Sequence, residues 1–266
     1  MRPLVLAALL ASALAAPALA QTAPPESAPL PHRQGLSMEM PTMGEDAALQ
    51  AAVASTTRPE ADRARDSQRH PFETLTFWGL QPGLTVVEIE PGRAGWWRNI
   101  LEPYAAATGG RYVPVSKPTE SMGVADGSAD MVVVARAFHN WSRDGRAEPY
   151  LAAFFKALKP GGVLAVEQHR SVDGLNVADV APTGYVPESY VIHAARSAGF
   201  ELEARSELNA NARDDRDHPF GVWTLPPTRT SERNGRTLTA EERAGFDAIG
   251  ESDRMTLRFR KPEAAN

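Results

Sequence analysis

Between residues 84 and 205, short β-branched runs alternate with helical segments, and that rhythm constrains the fold more than any other feature. Residues 84–90 (LTVVEIE), 111–115 (RYVPV), 130–134 (DMVVV), 163–167 (VLAVE) and 200–205 (FELEAR) read as strands. Residues 96–107, 149–158 and 187–197 read as helices. Lys159-Pro160-Gly161-Gly162 stops the second of these, and Gly199 closes the third. Continuous apolar strands are strands buried on both faces, and strands separated by helices form a mostly parallel sheet. The pattern predicts an α/β fold. Residues 200–205 and 255–260 (MTLRFR) alternate more strongly, as an edge pair would, and bring an antiparallel edge strand to the sheet.

The first twenty residues set the compartment. Met1-Arg2 is a short basic start, residues 4–16 are an apolar run, and Ala18-Leu19-Ala20 places small residues where a signal peptidase reads them. The run falls short of the roughly 20 residues that span a bilayer. Residues 1–20 are therefore expected to be a signal peptide, the mature chain periplasmic or secreted, and no stable membrane insertion to remain after cleavage. Residues 21–45, rich in Pro, Ala, Ser and Met, read as a flexible leader. The chain has no cysteine, which excludes thiol nucleophiles and thiolate metal sites, and its net charge of −5 argues against nucleic acid as a partner. Residues 58–69, dense in charges of both signs, read as a solvated helix face.

The chemistry concentrates in residues 86–97 (VVEIEPGRAGWW). A strand runs into a small-residue turn that opens a helix. Gly92 and Gly95 let the backbone approach a ligand, and the helix start offers free N–H groups. Glu88 and Glu90 flank the turn, and acids suit a cationic or hydroxyl-bearing ligand better than a phosphate. A tight strand–helix turn without a ligand is the alternative.

Three pieces in order carry a resemblance. Residues 88–95 resemble the first motif of class I S-adenosylmethionine-dependent methyltransferases, 130–134 their fourth strand, and 158–164 (LKPGGVL) their helix–turn–strand signature before the fifth. Residues 62–66 (DRARD), 88–92 (EIEPG), 138–141 (FHNW), 221–227 (GVWTLPP), 253–255 (DRM) and 259–262 (FRKP) are similar to a family of secreted methyltransferases of undefined substrate. The resemblance implies a Rossmann-like class I methyltransferase sheet over residues 46–262, with a tail at 263–266. It implies S-adenosylmethionine as cofactor and a small-molecule or envelope acceptor. It places Glu88, Glu90, Gly92 and Gly95 at the methionine end of the cofactor, and Arg136 with the residues up to Trp141 on the floor beneath the sulfonium.

Two departures accompany it. The second strand ends in Val115-Ser116, without the acid that normally bonds the ribose; Asp126 is the candidate replacement. The interval from Ser116 to Ala129 is also too short for a helix, a strand and a return connection, which need roughly 30 residues. The third strand is therefore expected to be absent. His139 is a candidate proton acceptor, Asn140 could orient an acceptor, and Trp141 could stack on it. Equally, His139 and Asn140 could hold the loop backbone while Trp141 packs on the next helix. His169 is a second candidate base, and Arg170 could meet an anionic substrate. Tyr185 and Tyr190 could join the pocket wall or pack in the core. No metal site is expected, because the histidines lack ligand spacing. A non-catalytic binding module on the same fold is the alternative function. A nicotinamide oxidoreductase fits less well, since it needs a more regular glycine triplet.

Overall fold

The computed structural model describes residues 46–263. The expected signal peptide, the leader at 21–45 and residues 264–266 of the tail lie outside the described residues.

The chain opens with four short helices, α1 (Ala47–Ala54), α2 (Glu60–Arg63), α3 (Asp66–Arg69) and α4 (Pro71–Trp78). Asp46 caps α1 by accepting the Leu49 N–H at 2.8 Å. Pro71 starts α4, where a missing N–H costs nothing. The central alternation follows as β1 (Thr85–Ile89), α5 (Arg98–Thr108), β2 (Arg111–Val115), β3 (Ala129–Ala135), α6 (Phe138–Arg143), α7 (Ala147–Ala157) and β4 (Leu158–Ser171). Then come α8 (Val177–Val180), β5 (Val186–Pro187), α9 (Glu188–Ser197) and β6 (Glu201–Ser206). The last part carries β7 (Pro219–Val222), β8 (Glu232–Arg233), β9 (Arg236–Thr237), α10 (Ala240–Ile249) and β10 (Arg254–Arg260). Among the described residues, no helix is long and apolar enough to cross a membrane.

The sheet runs β2-β1-β3-β4-β10-β6, with the short β5 paired to β4. β2, β1, β3 and β4 are parallel to one another, and β10 is antiparallel to both β4 and β6. This is the class I methyltransferase order with the third strand deleted. Residues 116–128 form no helix or strand, so β2 is an edge. The segment folds back on β2: the Arg111 guanidinium donates to the Gly123 carbonyl at 3.1 Å, and Met122 is buried with Val113 and Val115.

Strand parity explains the unbroken apolar runs. Val87, Ile89, Val132, Val134, Leu164 and Val166 pack on one face in the cluster that takes in residues of α6, α7 and α9. Val86, Met131, Val133, Val163 and Ala165 pack on the other with α1, α4 and α5. The edge pair of the sequence reading is β10 with β6, and its antiparallel member, β10, lies inside the sheet. Met255, Leu257 and Phe259 join the first face, while Arg254, Thr256 and Arg258 are buried on the opposite one. The arginines tolerate this because they are partnered: Arg258 donates to the Phe77 carbonyl at 2.7 Å and pairs with Glu203 at 2.9 Å. The segment 58–69 keeps a solvated side, but Arg58, Asp62 and Arg69 turn inward and are buried.

The register sets Phe259 opposite Leu202 of β6. Phe259→Ala is expected to cost about 3–5 kcal/mol, as for a buried core aromatic. Leu202→Ala on the half-buried edge is expected to cost less than half of that. Denaturant midpoints of the two variants check the interior position of β10.

Candidate active site

β1 and β3 are neighbours, and each is followed by a residue in the left-handed region. Glu90 has φ 49° and Arg136 has φ 56°. For a non-glycine residue this conformation costs roughly 1–2 kcal/mol, so the surroundings must hold it. The Glu90 N–H donates to the Val115 carbonyl at 2.7 Å, and its carboxylate accepts the Trp141 indole N–H at 3.0 Å. The Arg136 N–H donates to the Glu167 carbonyl at 2.7 Å, and its guanidinium donates to the Glu167 carboxylate at 2.9 Å. Both turns open the C-terminal end of the parallel strands, where sheets of this class bind ligands.

A cavity of about 330 Å³ lies there. Gly92, Gly95 and Trp96 line it from the turn after β1, Arg136 and His139 from beyond β3, and His169 from β4. Arg65 and Arg69 close one side, and Trp223, Pro226, Glu251 and Ser252 come from the C-terminal segments. A side chain at Gly92 would meet no atom within 4 Å, so this residue faces open space. Other hollows among the described residues lie apart from the turn. One, of about 350 Å³, is lined by His218 and Arg233. Another, of about 490 Å³, is lined by Leu84, Asp130 and Lys159, at the opposite ends of the strands.

The two imidazoles facing the cavity are uncharged at neutral pH. Burial pushes the pKa of His139 down to about 4, against a weaker opposing hydrogen bond from Gln168. Burial above all, with the neighbouring His139 ring and the charges of Arg136 and Arg254, holds His169 well below the ordinary value. The Gln168 amide lies 3.5 Å from His139 Nδ1 and also donates to the Gly184 carbonyl at 2.9 Å. In that orientation the amide can donate to His139 Nδ1, the arrangement that puts the His139 proton on Nε2. His169 Nδ1 lies 2.6 Å from the Ser252 hydroxyl, a partner that accepts as readily as it donates. With Nδ1–H directed at Ser252, His169 Nε2 carries a lone pair.

Glu88 sits beneath the turn, buried, and does not line the cavity. Burial raises its pKa to about 7, opposed by the Tyr112 hydroxyl at 2.7 Å and by the charges of Arg136 and Arg98. Glu90 and Trp141 hold each other, and Trp141 packs on Tyr150 and Phe154 of α7, so its ring belongs to the core. Asn140 does not line the cavity. Asp126 precedes β3, at the far end of the sheet, and pairs with Lys156 at 3.1 Å, so it contributes nothing to the crevice. Arg170 is fully engaged by Glu188, Glu207 and Asp253 and offers no free fork to a substrate. Tyr185 is buried and donates to Asp214. The one trio of metal-ligand type among the described residues is Asp214, Asp215 and His218. Both Asp214 oxygens already accept bonds, from Tyr185, His218 and the N–H groups of Arg216 and Asp253.

Sequence reasoning missed Arg65, Arg69, Trp223, Glu251 and Ser252 as cavity residues. Arg65 and Arg69 stand four apart, which puts them on one side of a helical segment, and that spacing was the available signal. Glu251 and Ser252 carried none, since their place depends on β10 being interior.

No protein-family model and no curated protein sequence matches the chain. Among solved structures, a candidate sarcosine dimethylglycine methyltransferase from Galdieria sulphuraria is 15% identical over 76% of this chain and 88% of its own, with a TM-score of 0.48. A chain from the complex of the Haloferax volcanii Trm112 methyltransferase activator with a candidate methyltransferase is 15% identical over 82% and 99%, with a TM-score of 0.44. A SAM-dependent methyltransferase from Aquifex aeolicus is 18% identical over 54% and 86%, with a TM-score of 0.40. Likenesses this distant assign no reaction, and the fold rests on the strand order itself.

Glu88 generates a pH prediction. Its folded pKa lies above the unfolded one, so its contribution to stability is complete below about pH 4.5 and is lost as pH rises through about 7. Glu88→Gln keeps an acceptor for Tyr112 and removes the titration. The variant is expected to exceed the wild type in stability at pH 8 by about 3 kcal/mol and to show a flatter profile between pH 5 and 8. Urea unfolding across that range checks it.

Proposed function

We propose that the chain is an S-adenosylmethionine-dependent methyltransferase acting on a small-molecule or envelope acceptor. The observation that carries the reading is a single cavity joining the glycine turn after β1 to the imidazoles after β3 and on β4. The cradle at Gly92, which a Cβ would enter without contact, suits the close approach of the amino-acid end of the cofactor. The cavity volume falls at the lower end of the ~300–1,000 Å³ typical of small-molecule sites. When bound, the cofactor supplies an electrophilic methyl group, and the protein must align and deprotonate the acceptor in a dry pocket. Gly92 and Gly95 would hold the methionine portion, with Glu88 beneath. His139 Nε2–H would donate to the acceptor and orient it. His169 would take the acceptor proton at Nε2, while Ser252 holds its other nitrogen. Trp96 and Trp223 would exclude water.

A second reading, ligand binding without transfer, is favoured by the edge position of β2. That strand ends in Val115-Ser116 without an acid, and its Tyr112 hydroxyl is committed to Glu88. Calorimetric titration separates the two readings. The transferase is expected to bind S-adenosylmethionine and S-adenosylhomocysteine saturably, with binding abolished in Gly92→Trp. In a methyl-transfer assay, His169→Gln is expected to lower turnover by about 10²–10⁴-fold, and His139→Gln less. Absence of binding by either compound at millimolar concentration supports the binding module instead.

We propose further that the chain is exported, with maturation after Ala20. Intact-mass measurement of the protein recovered from outside the cytoplasm is expected to show an N-terminus at Gln21, whereas retention of Met1 in the cytoplasm contradicts export.

A further inference from the structure

The cavity has more positive than negative charge in its walls, and the surplus is organised. Four guanidiniums, those of Arg65, Arg69, Arg136 and Arg254, share two carboxylates, those of Glu167 and Glu251. Glu251 receives Arg65 Nε at 2.6 Å on one oxygen, and Arg69 Nε and Arg254 Nη1, both at 2.7 Å, on the other. Glu167 accepts from Arg136 Nη1 at 2.9 Å on one oxygen, and its other oxygen forms an ion pair with Arg254 Nε at 2.7 Å without hydrogen-bond alignment. Both acids are thus engaged by more than one cation. Of the other buried acids, Asp62 accepts from the Asn99 amide and Glu88 from the Tyr112 hydroxyl, and neither lines the cavity.

Arg69 is the most informative of the four. It is 3% exposed, yet among the described residues neither of its Nη groups has a hydrogen-bond or ion-pair partner. Only its Nε is bonded, and its planar group stacks 4.8 Å from the Trp96 ring centre. The rest of the side chain is buried, so the two Nη groups are presented to the cavity in a fixed fork, which matches the two oxygens of a carboxylate. Arg69, Arg65 and Arg136 all line the cavity.

We propose that the cavity binds its ligand through a carboxylate seated against Arg69, with Arg65 and Arg136 beside it. The inference rests on this cavity being the ligand site, and it does not depend on methyl transfer. Two sources share the chemistry: the carboxylate of the cofactor's amino-acid end and a carboxylate on the acceptor.

The test is calorimetry of the full mature chain with sodium malonate at constant ionic strength, on the wild type and on Arg69→Gln. Arg65→Gln, at a part-exposed position, serves should Arg69→Gln not fold. Saturable malonate binding, weakened roughly tenfold or more in either variant, is expected. No saturable binding, or equal binding in wild type and a folded variant, overturns the inference. A second arm compares S-adenosylhomocysteine with its decarboxylated analogue. Preference for the carboxylate form in the wild type, lost in the variant, assigns the site to the cofactor. Equal binding of the two compounds alongside malonate binding assigns it to the acceptor. Malonate binding without binding of either nucleoside keeps the carboxylate site and rejects the transferase. Nucleoside binding that is indifferent to the carboxylate, without malonate binding, does the reverse.

Discussion

The buried ion network around Arg254 is the contact on which the site depends. Arg254 lies at the start of β10, almost without exposure, and ties Glu167 within β4 to Glu251 just before its own strand. Glu251 in turn draws in Arg65 and Arg69 from the opening helices, and Glu167 draws in Arg136 from the turn after β3. Trp97 adds its indole N–H to Glu167 at 3.3 Å, linking the start of α5. Segments far apart in sequence therefore meet on two carboxylates. Removing one member of such a buried set costs more than the set contributes as a whole, about 3–5 kcal/mol, because a charge is left unpaired. Its role is then to determine position: three walls of the cavity are held at fixed separation by the same ions.

The backbone supplies the fourth wall. A left-handed residue after each of two adjacent strands turns both chains away from the sheet and leaves the hollow between them. At Glu90 the strain is held by Trp141, so the acid that reads as a ligand contact instead secures the turn. The dry, uncharged imidazoles follow from the same enclosure, since burial among aromatic rings and guanidiniums disfavours a further positive charge.

Much of the fold is legible in the sequence because the signals are local. The apolar runs of β1, β3 and β4 are continuous since both faces are covered. The missing third strand follows from counting residues between Ser116 and Ala129. The turn at Gly92 and the histidine past β3 are likewise readable, and the structure brings them into one cavity. What escaped reading is non-local. Residues 255–260 alternate like an edge strand, but Arg254 and Arg258 are buried by partners some 180 positions away, at Gln68 and Phe77. The same holds for Arg69, whose charge marks a solvated face until Glu251 arrives beside it. Asp126 was close in sequence to the right strand but precedes it, and a parallel sheet puts that end opposite the site. A ligand role for Arg170 fails for a different reason, since three acids already occupy its fork.

The central claim is that the hollow between the β1 and β3 turns receives the ligand. Five tryptophans make it directly measurable, because Trp96 and Trp223 line that hollow while Trp78 and Trp141 are buried in the two cores. In nitrogen–proton correlation spectra of the mature protein titrated with S-adenosylhomocysteine, the indole signals of Trp96 and Trp223 are expected to shift together and saturate, with those of Trp78 and Trp141 unmoved. Unchanged spectra, or shifts that spare Trp96 and Trp223, would contradict the account.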